Sequence, residues 1–244
     1  MKLVSIIIPY YKKKKYIKQT IQSILKQKYK HFEILLIYDD TNTDDLVFLK
    51  NLQKKDNRIK LVINNKNIGA GMSRNRGIKL SRGTYLAFID SDDFWHPEKL
   101  KTQISYMMKN KIFISHTSYN IVDSNNMKIG FREAKRIGYR DLIKSCDIGL
   151  STVMIKKKLL NNKSFAKLRT KEDYVLWLNL AKKNFVFHPI KKPLTSWRSL
   201  EDSLSSSVIQ KLLDGYSVYR LYLKQSVLKS LLSLFILSIN FLKK

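Results

Sequence analysis

The amino-acid sequence predicts an α/β fold, a mostly parallel central sheet flanked by helices and followed by a helical tail. Short runs rich in Ile, Leu and Val recur at residues 3–8, 33–38, 59–63 and 85–90, the length and composition of buried strands. Stretches of helical period separate them, which gives βαβαβαβ order, right-handed crossovers and parallel strands. After residue 208 a strongly apolar helical pattern runs to residue 241.

The first run opens the chain. MKLVSIIIPYY has only a short apolar stretch, interrupted by Pro9 and lacking a small-residue cleavage site, so it reads as a strand and not as a secretion signal. Between the first two runs Tyr16, Ile17, Thr20, Ile21, Ile24 and Leu25 share one helical face and leave Lys18, Gln22 and Lys26 outward. Beyond residue 110 the pattern loosens into a strand at 113–117, a turn at Asn125 and Asn126 and a strand at 151–155. A helix is clear again over 172–183, where Val175, Leu176, Leu178, Leu180 and Ala181 form most of an apolar stripe. Residues 208–241 read as one or two long helices. With no internal repeat and no Gly/Ser-rich linker, the chain divides into one domain over 1–205 and a helical tail over 206–244.

A chain of 244 residues with 44% hydrophobic content can bury a substantial core. The net charge of +28, from 37 Lys and 10 Arg against 19 acidic residues, points toward polyanionic partners such as nucleic acid or acidic lipid headgroups. It reads equally well as a compositional bias on solvated faces, because Lys, Asn and Ile are abundant throughout. The single cysteine, Cys146, excludes an intramolecular disulfide framework and any multi-cysteine metal site, and fits a reducing, cytosolic compartment.

Four segments carry chemistry. Asp90-Ser91-Asp92-Asp93 follows the fourth apolar run and precedes a helix expected near Pro97. Carboxylates at the C-terminal end of a strand lie where open α/β sheets bind ligands, and two hard oxygen donors suit Mg²⁺ or Mn²⁺ bridging the phosphates of a nucleoside diphosphate. The plain alternative is an acidic turn with Asp93 capping the next helix. Asp39 and Asp40, with Asp44 and Asp45, follow the second run at the same sheet edge; such carboxylates accept hydrogen bonds from a base or ribose, or simply form an Asx turn and helix cap. Residues 67–77, NIGAGMSRNRG, give a glycine-containing helix entry followed by Arg74 and Arg76, which can approach a phosphate closely or mark an ordinary helix start. Glu172 and Asp173 begin an apolar-faced helix; acids favour that position on dipole grounds alone, and one of them can act as a general base toward an acceptor hydroxyl.

Taken in order, VSIIIPYY, YDDTNTDD, NIGAGMSRNRGI, GTYLAFIDSDDFWHPEKL and KEDYVLWL resemble the family-2 glycosyltransferases of GT-A fold, whose sheet is Rossmann-like. The resemblance covers about residues 3–205, and Ser196-Trp197-Arg198 with Ser203-Leu204-Ser205 looks like the family's segment after the last core strand. It implies an inverting transfer of one sugar from a nucleoside-diphosphate sugar to a hydroxyl of a glycan or lipid-linked glycan, in cell-surface polysaccharide synthesis. By the same resemblance Pro9 and Tyr11 line the base pocket, Asp39 or Asp40 holds the base and Arg74 lies nearby. Asp92 coordinates Mn²⁺ or Mg²⁺, Asp90 and Ser91 support the metal and donor, Asp173 is the catalytic base and Glu172 places the acceptor. UDP is the nucleotide most in keeping with the family.

Lys12 stands where the family often has Asn, and Asp39-Asp40-Thr41-Asn42-Thr43-Asp44 lacks the family's usual Gly. The chain has neither the Q-x-x-R-W element nor the several spans of processive synthases, so one residue is added per encounter. Three rivals stand against this reading. A sugar nucleotidyltransferase needs a Gly-rich loop where this chain has Pro9-Tyr10-Tyr11 and four lysines; a basic nucleic-acid module lacks any zinc-finger or RNP-like motif here and would meet repulsion from residues 39–45; and a catalytically inactive family member would keep the donor site alone. No nucleic-acid partner is expected. In the tail, residues 230–242 form a 13-residue apolar stretch with Lys224, Lys229, Lys243 and Lys244 at its edges, short of the roughly 20 residues of a spanning helix. The expectation is a helix lying on the anionic inner face of the cytoplasmic membrane, with packing on its own domain or homodimerisation through the C-terminal helices as the alternative.

Overall fold

The computed structural model describes residues 2–161, 163–200 and 207–242. Its first half follows the predicted alternation: β1 (Val4–Tyr10), α1 (Lys14–Leu25), β2 (Phe32–Tyr38), α2 (Thr43–Gln53), β3 (Ile59–Ile63), α3 (Ala70–Leu80) and β4 (Tyr85–Phe88). These strands pair in parallel in the order β3-β2-β1-β4. β1 and β2 are buried along their whole length, because helices cover both faces of the sheet, and their sequences are accordingly continuous apolar runs. On α1 the buried side chains are Ile17, Thr20, Ile21 and Ile24, the face the periodicity indicated. α3 lies so close to β1 that a Cβ on Gly77 would meet Ile7 Cγ2 at 2.6 Å.

The second half comprises β5 (Phe94–Trp95), α4 (Lys99–Lys109), β6 (Ile114–Val122), β7 (Lys128–Arg132), α5 (Tyr139–Leu142), β8 (Met154–Lys156), α6 (Glu172–Lys182), β9 (His188–Arg198), α7 (Val208–Ser217), a π-helical turn at Val218–Tyr222 and α8 (Val227–Leu242). The sheet continues β4-β8-β6-β9-β5, with β7 on β6. Here pairing is mixed. β8 runs antiparallel to β4 and β6, β6 and β9 are parallel, and β5 and β7 are antiparallel to their neighbours.

Several boundaries differ from expectation for reasons visible in the pairing. The helix expected near Pro97 begins at Lys99, because Phe94 and Trp95 first pair with β9. The strand expected over 113–117 runs on to Val122, since β9 accompanies it. Residues 150–152 are a 3₁₀ turn ahead of β8 and not strand. Ser196, Trp197 and Arg198 belong to β9 itself, whose prolines and lysines, HPIKKPLTSWR, hide its strand character. The turn at Asn125 and Asn126 is the β6–β7 connection, with Asn126 at φ 70°. Ser203-Leu204-Ser205 and the expected 205/206 boundary lie outside the described residues.

Alternate residues of the central strands feed two cores. Ile7, Leu35, Ile37, Leu86 and Phe88 pack with α3 and α6, where Tyr174 and Trp177 are fully buried. Ile6, Ile8, Ile34, Leu36 and Ala87 pack with α1 and α4. Val218, Tyr219 and Leu237 join the first core, so the tail is seated on its own domain. Among the described residues, no helix is long and apolar enough to cross a membrane.

Candidate active site

The carboxyl ends of β1, β2 and β4 meet at one sheet edge and carry the predicted acidic clusters there. Past β2, Asp39 is fully engaged by its own chain: its carboxylate accepts from Asn64 Nδ2 (2.7 Å), Ile68 N (2.8 Å) and Gly69 N (2.8 Å). Of these donors, Ile68 N and Gly69 N belong to the glycine-containing entry to α3 that the sequence offered to a phosphate. Asp39 takes them instead, which fixes the turn in which Gly69 adopts φ 86°, a conformation that favours glycine. Asp40 is committed more lightly, accepting from Lys12 N (2.9 Å) and Thr41 N (2.7 Å) at the corner after β1. Tyr11 at that corner is exposed, whereas Pro9 is buried within β1. Asp45 lies in the first turn of α2, where Asn42 caps the helix and Asp45 accepts from Tyr10 Oη (2.6 Å).

Past β4, the four residues 90–93 divide their labour. Asp93 does not cap a helix: it is buried and accepts from Ser151 Oγ (2.5 Å) and Arg198 N (2.8 Å), and burial followed by its acidic neighbours pushes its carboxyl well above the usual range. Ser91 is buried too, and its carbonyl with that of Asp93 receives the Thr20 hydroxyl of α1. Asp92 is partly exposed and pairs with Lys13 Nζ at 3.4 Å; burial and the nearby Asp90 charge raise its carboxyl, with Lys13 opposing. Asp90 reaches across to Arg74.

Arg74 is the junction of the site. Its Nη2 donates to Asp90 Oδ1 (2.6 Å) and its Nη1 to Glu172 Oε1 (2.5 Å), while its guanidinium lies over Phe165. In this structure both of its terminal nitrogens are engaged by carboxylates. Glu172, buried against Arg74, likewise serves the protein first. Next to it Asp173 is only half-buried, and desolvation together with the Glu172 charge, opposed by Arg74, pushes its carboxyl up to about 7. Lys171, just before them, sits at φ 60°. A carboxyl in this position changes protonation near neutral pH, the property a general base needs.

Two residues that hold this edge together lie within motifs quoted from the sequence, but their role was not indicated there. Arg198 is buried and donates from Nε to the Asp92 carbonyl (2.8 Å) and from Nη2 to Gln19 Oε1 (2.8 Å) and Asn126 Oδ1 (2.9 Å), joining α1, the acidic turn and the β6–β7 hairpin. Asn75 exchanges hydrogen bonds with the backbone of Phe165 (2.8 and 2.9 Å), pinning the segment ahead of α6 to α3. Their sequence signal is polarity inside otherwise regular elements and a place in the motifs around residues 67–78 and 196–198.

Among the described residues, no group of three or more His, Cys, Asp or Glu side chains gathers to enclose a metal. What the edge offers is a pair of hard oxygen donors, Asp90 and Asp92. That set fits Mn²⁺ or Mg²⁺ of the kind that one or two carboxylates hold while substrate phosphates and water complete the shell.

A parallel half-sheet with acidic turns at its carboxyl edge, continued by a mixed half-sheet, is the GT-A fold. Solved structures share it: the Staphylococcus aureus protein TarS, residues 1–349, in complex with UDP-GlcNAc, aligns with a TM-score of 0.74 at 21% identity over 96% of this chain and 70% of that one. The mannosyltransferase PcManGT of Pyrobaculum calidifontis, in complex with GDP-Man and Mn²⁺, aligns at 0.69 with 12% identity over 95% and 69%. The pattern described as Glycosyl transferase family 2 matches residues 5–169, and the chain belongs to that family. The chain is 43% identical to the Escherichia coli UDP-Glc:alpha-D-GlcNAc-diphosphoundecaprenol beta-1,3-glucosyltransferase WfgD over 75% of its own length and 71% of the relative's. It is 33% identical to the putative teichuronic acid biosynthesis glycosyltransferase TuaG of Bacillus subtilis over 89% and 87%.

Proposed function

We propose that this glycosyltransferase moves one sugar from a UDP-sugar to a hydroxyl of a lipid-linked glycan, with inversion at the anomeric carbon. The observation that carries the reading is the Arg74 bridge: one buried guanidinium ties Asp90, on the donor side, to Glu172, beside Asp173. A donor held at the acidic turn would thus lie next to a carboxylate poised to take a proton. The name of the Escherichia coli relative supports the donor and the lipid-linked acceptor, and the UDP-GlcNAc held by TarS supports the nucleotide.

In this mechanism ionised Asp173 accepts the acceptor hydroxyl proton as that oxygen forms its bond to the anomeric carbon. The bond from that carbon to the diphosphate breaks on the opposite face, and the diphosphate leaves with the electron pair. Glu172 acts as a positioning residue, held by Arg74 so that its charge keeps Asp173 basic. Asp40 is assigned to the base, with Tyr11 beside it, because Asp39 is already filled by three N–H donors. Pro9 shapes the floor and Ser91 sets the turn. Asp92 and Asp90 would hold Mn²⁺ or Mg²⁺, which would supply positive charge to the departing diphosphate.

The test is a thermal-shift screen of UDP-, GDP- and dTDP-sugars with Mn²⁺, Mg²⁺ or chelator, since a ligand of the native state raises apparent stability. A UDP-sugar with metal is expected to stabilise the chain and to release UDP when a diphospholipid-linked GlcNAc is added. Absence of metal-dependent stabilisation by every nucleotide sugar would refute the reading.

A further inference from the structure

We propose that the outer faces of α7 and α8 form a docking surface for an anionic lipid bilayer. Each helix uses one side to hold the domain. From α7, Asp214 accepts from Thr170 N (2.8 Å) and Thr170 Oγ1 (2.7 Å), and Val218 and Tyr219 beyond it enter the core. From α8, Leu237 enters the same core and Asn240 Nδ2 donates to the Lys144 carbonyl (2.9 Å). The other sides remain open and apolar. Val208, Ile209, Leu212 and Leu213 on α7, and Leu228, Leu231, Leu232 and Phe235 on α8, are all exposed, Ile209 by 73% and Leu228 by 81%. At 100° per residue the α8 set falls within one third of the helix circumference, which makes it a continuous stripe and not scattered exposure.

The charge around the stripe selects the occupant. Residues 207–242 carry Lys211, Arg220, Lys224 and Lys229 and a single acid, Asp214, which is buried and bonded. A second copy of this surface would set those cations against their equals, whereas anionic headgroups around inserted Leu and Phe side chains neutralise them. With 16 residues, α8 is long enough to lie in the interface and shorter than the roughly 20 residues that span. Asp214 grips Thr170, two residues ahead of Glu172, so a docked α7 would hold the Asp173 end of α6 at the membrane. This consequence rests on the function proposed above; the docking itself does not.

Co-sedimentation of the full chain with phosphatidylcholine vesicles, with and without phosphatidylglycerol, tests the surface. Comparison proteins are the double variant Leu212→Glu/Leu228→Glu and the double variant Lys224→Gln/Lys229→Gln, each checked for an unchanged melting temperature. The wild type is expected to favour phosphatidylglycerol vesicles by about tenfold at low salt. The Glu variant should lose about tenfold on both vesicles, and the Gln variant should lose much of the preference for anionic lipid. Equal partitioning of wild type and the Glu variant, or indifference to phosphatidylglycerol, overturns the proposal. So does a wild-type dimer in sedimentation velocity that the Glu variant abolishes while no form binds vesicles, which would assign the face to a second copy. Vesicle binding without nucleotide-sugar binding would leave the docking standing and sink the proposed chemistry.

Discussion

Asp173 and Asp92 carry the sharpest expectations at the scale of single residues. Asp173→Asn should lower kcat by about 10²–10⁴-fold, the usual contribution of a general base, while donor affinity measured by titration stays unchanged; loss of donor binding would move Asp173 to the donor site. Because the active form is the ionised one and its carboxyl is pushed up to about 7, kcat/KM of the wild type should rise with pH through about 7 and level off above it. The same shift has a stability consequence. A carboxyl raised in the folded state contributes stability that is full below its ordinary value of 3.8 and is lost as pH rises through about 7. Asp173→Asn should therefore melt higher than wild type at pH 8, by about 2–4 °C for each kcal/mol relieved, with little difference at pH 4. Asp92→Asn should cost on the order of 10²-fold in turnover with an unchanged circular dichroism spectrum, and wild-type turnover at ordinary metal concentration would remove Asp92 from the metal site.

Between elements, the contacts that matter are polar and buried. Arg74 links α3, the turn after β4 and α6 through two carboxylates, and removing one partner of such a set leaves charge uncompensated in a dry place. Arg74→Met is expected to destabilise by about 3–5 kcal/mol, read from urea unfolding, and to lower activity with it; an unchanged midpoint would show that Glu172 and Asp90 find water or other donors. α3 meets β1 with no spare room at Gly77, where a Cβ would lie 2.6 Å from Ile7 Cγ2. Gly77→Ala should cost about 1–3 kcal/mol through overpacking, despite alanine being the better helix former.

For the whole molecule, the two half-sheets differ in how legible they are. The parallel half announces itself, because strands covered on both faces must be apolar throughout and α1, between the first two, keeps a clean 3.6-residue period. The mixed half does not: β9 carries two prolines and three charges yet pairs along β6 and β5, and β5 is two residues long. Chelation should separate the halves functionally. Metal removal is expected to abolish UDP-sugar stabilisation of the chain while leaving its own melting temperature unchanged, since no described cluster of side chains encloses a structural metal; a fall in that temperature on chelation would reveal a structural ion.

The alternation of strands and helices in the first half, the parallel sense of those strands, the edge on which Asp39, Asp40, Asp90 and Asp92 gather and the family itself were determined by the sequence alone, because periodicity and ordered motifs are local in the chain; the spatial order β3-β2-β1-β4 was not. Tertiary structure decided which of those groups are free to act. It spent Asp39 on the α3 turn, Asp93 on Ser151 and Arg198, and Arg74 on Asp90 and Glu172, leaving Asp40, Asp92 and Asp173 as the less committed carboxylates. It also showed the tail to be both packed and exposed, one side of each helix on the domain and the other open. The physical reason is the same in each case: a residue type states what a side chain can bond to, and only the approach of segments as much as 179 residues apart, as Arg198 and Gln19 are, determines whether that capacity is already satisfied.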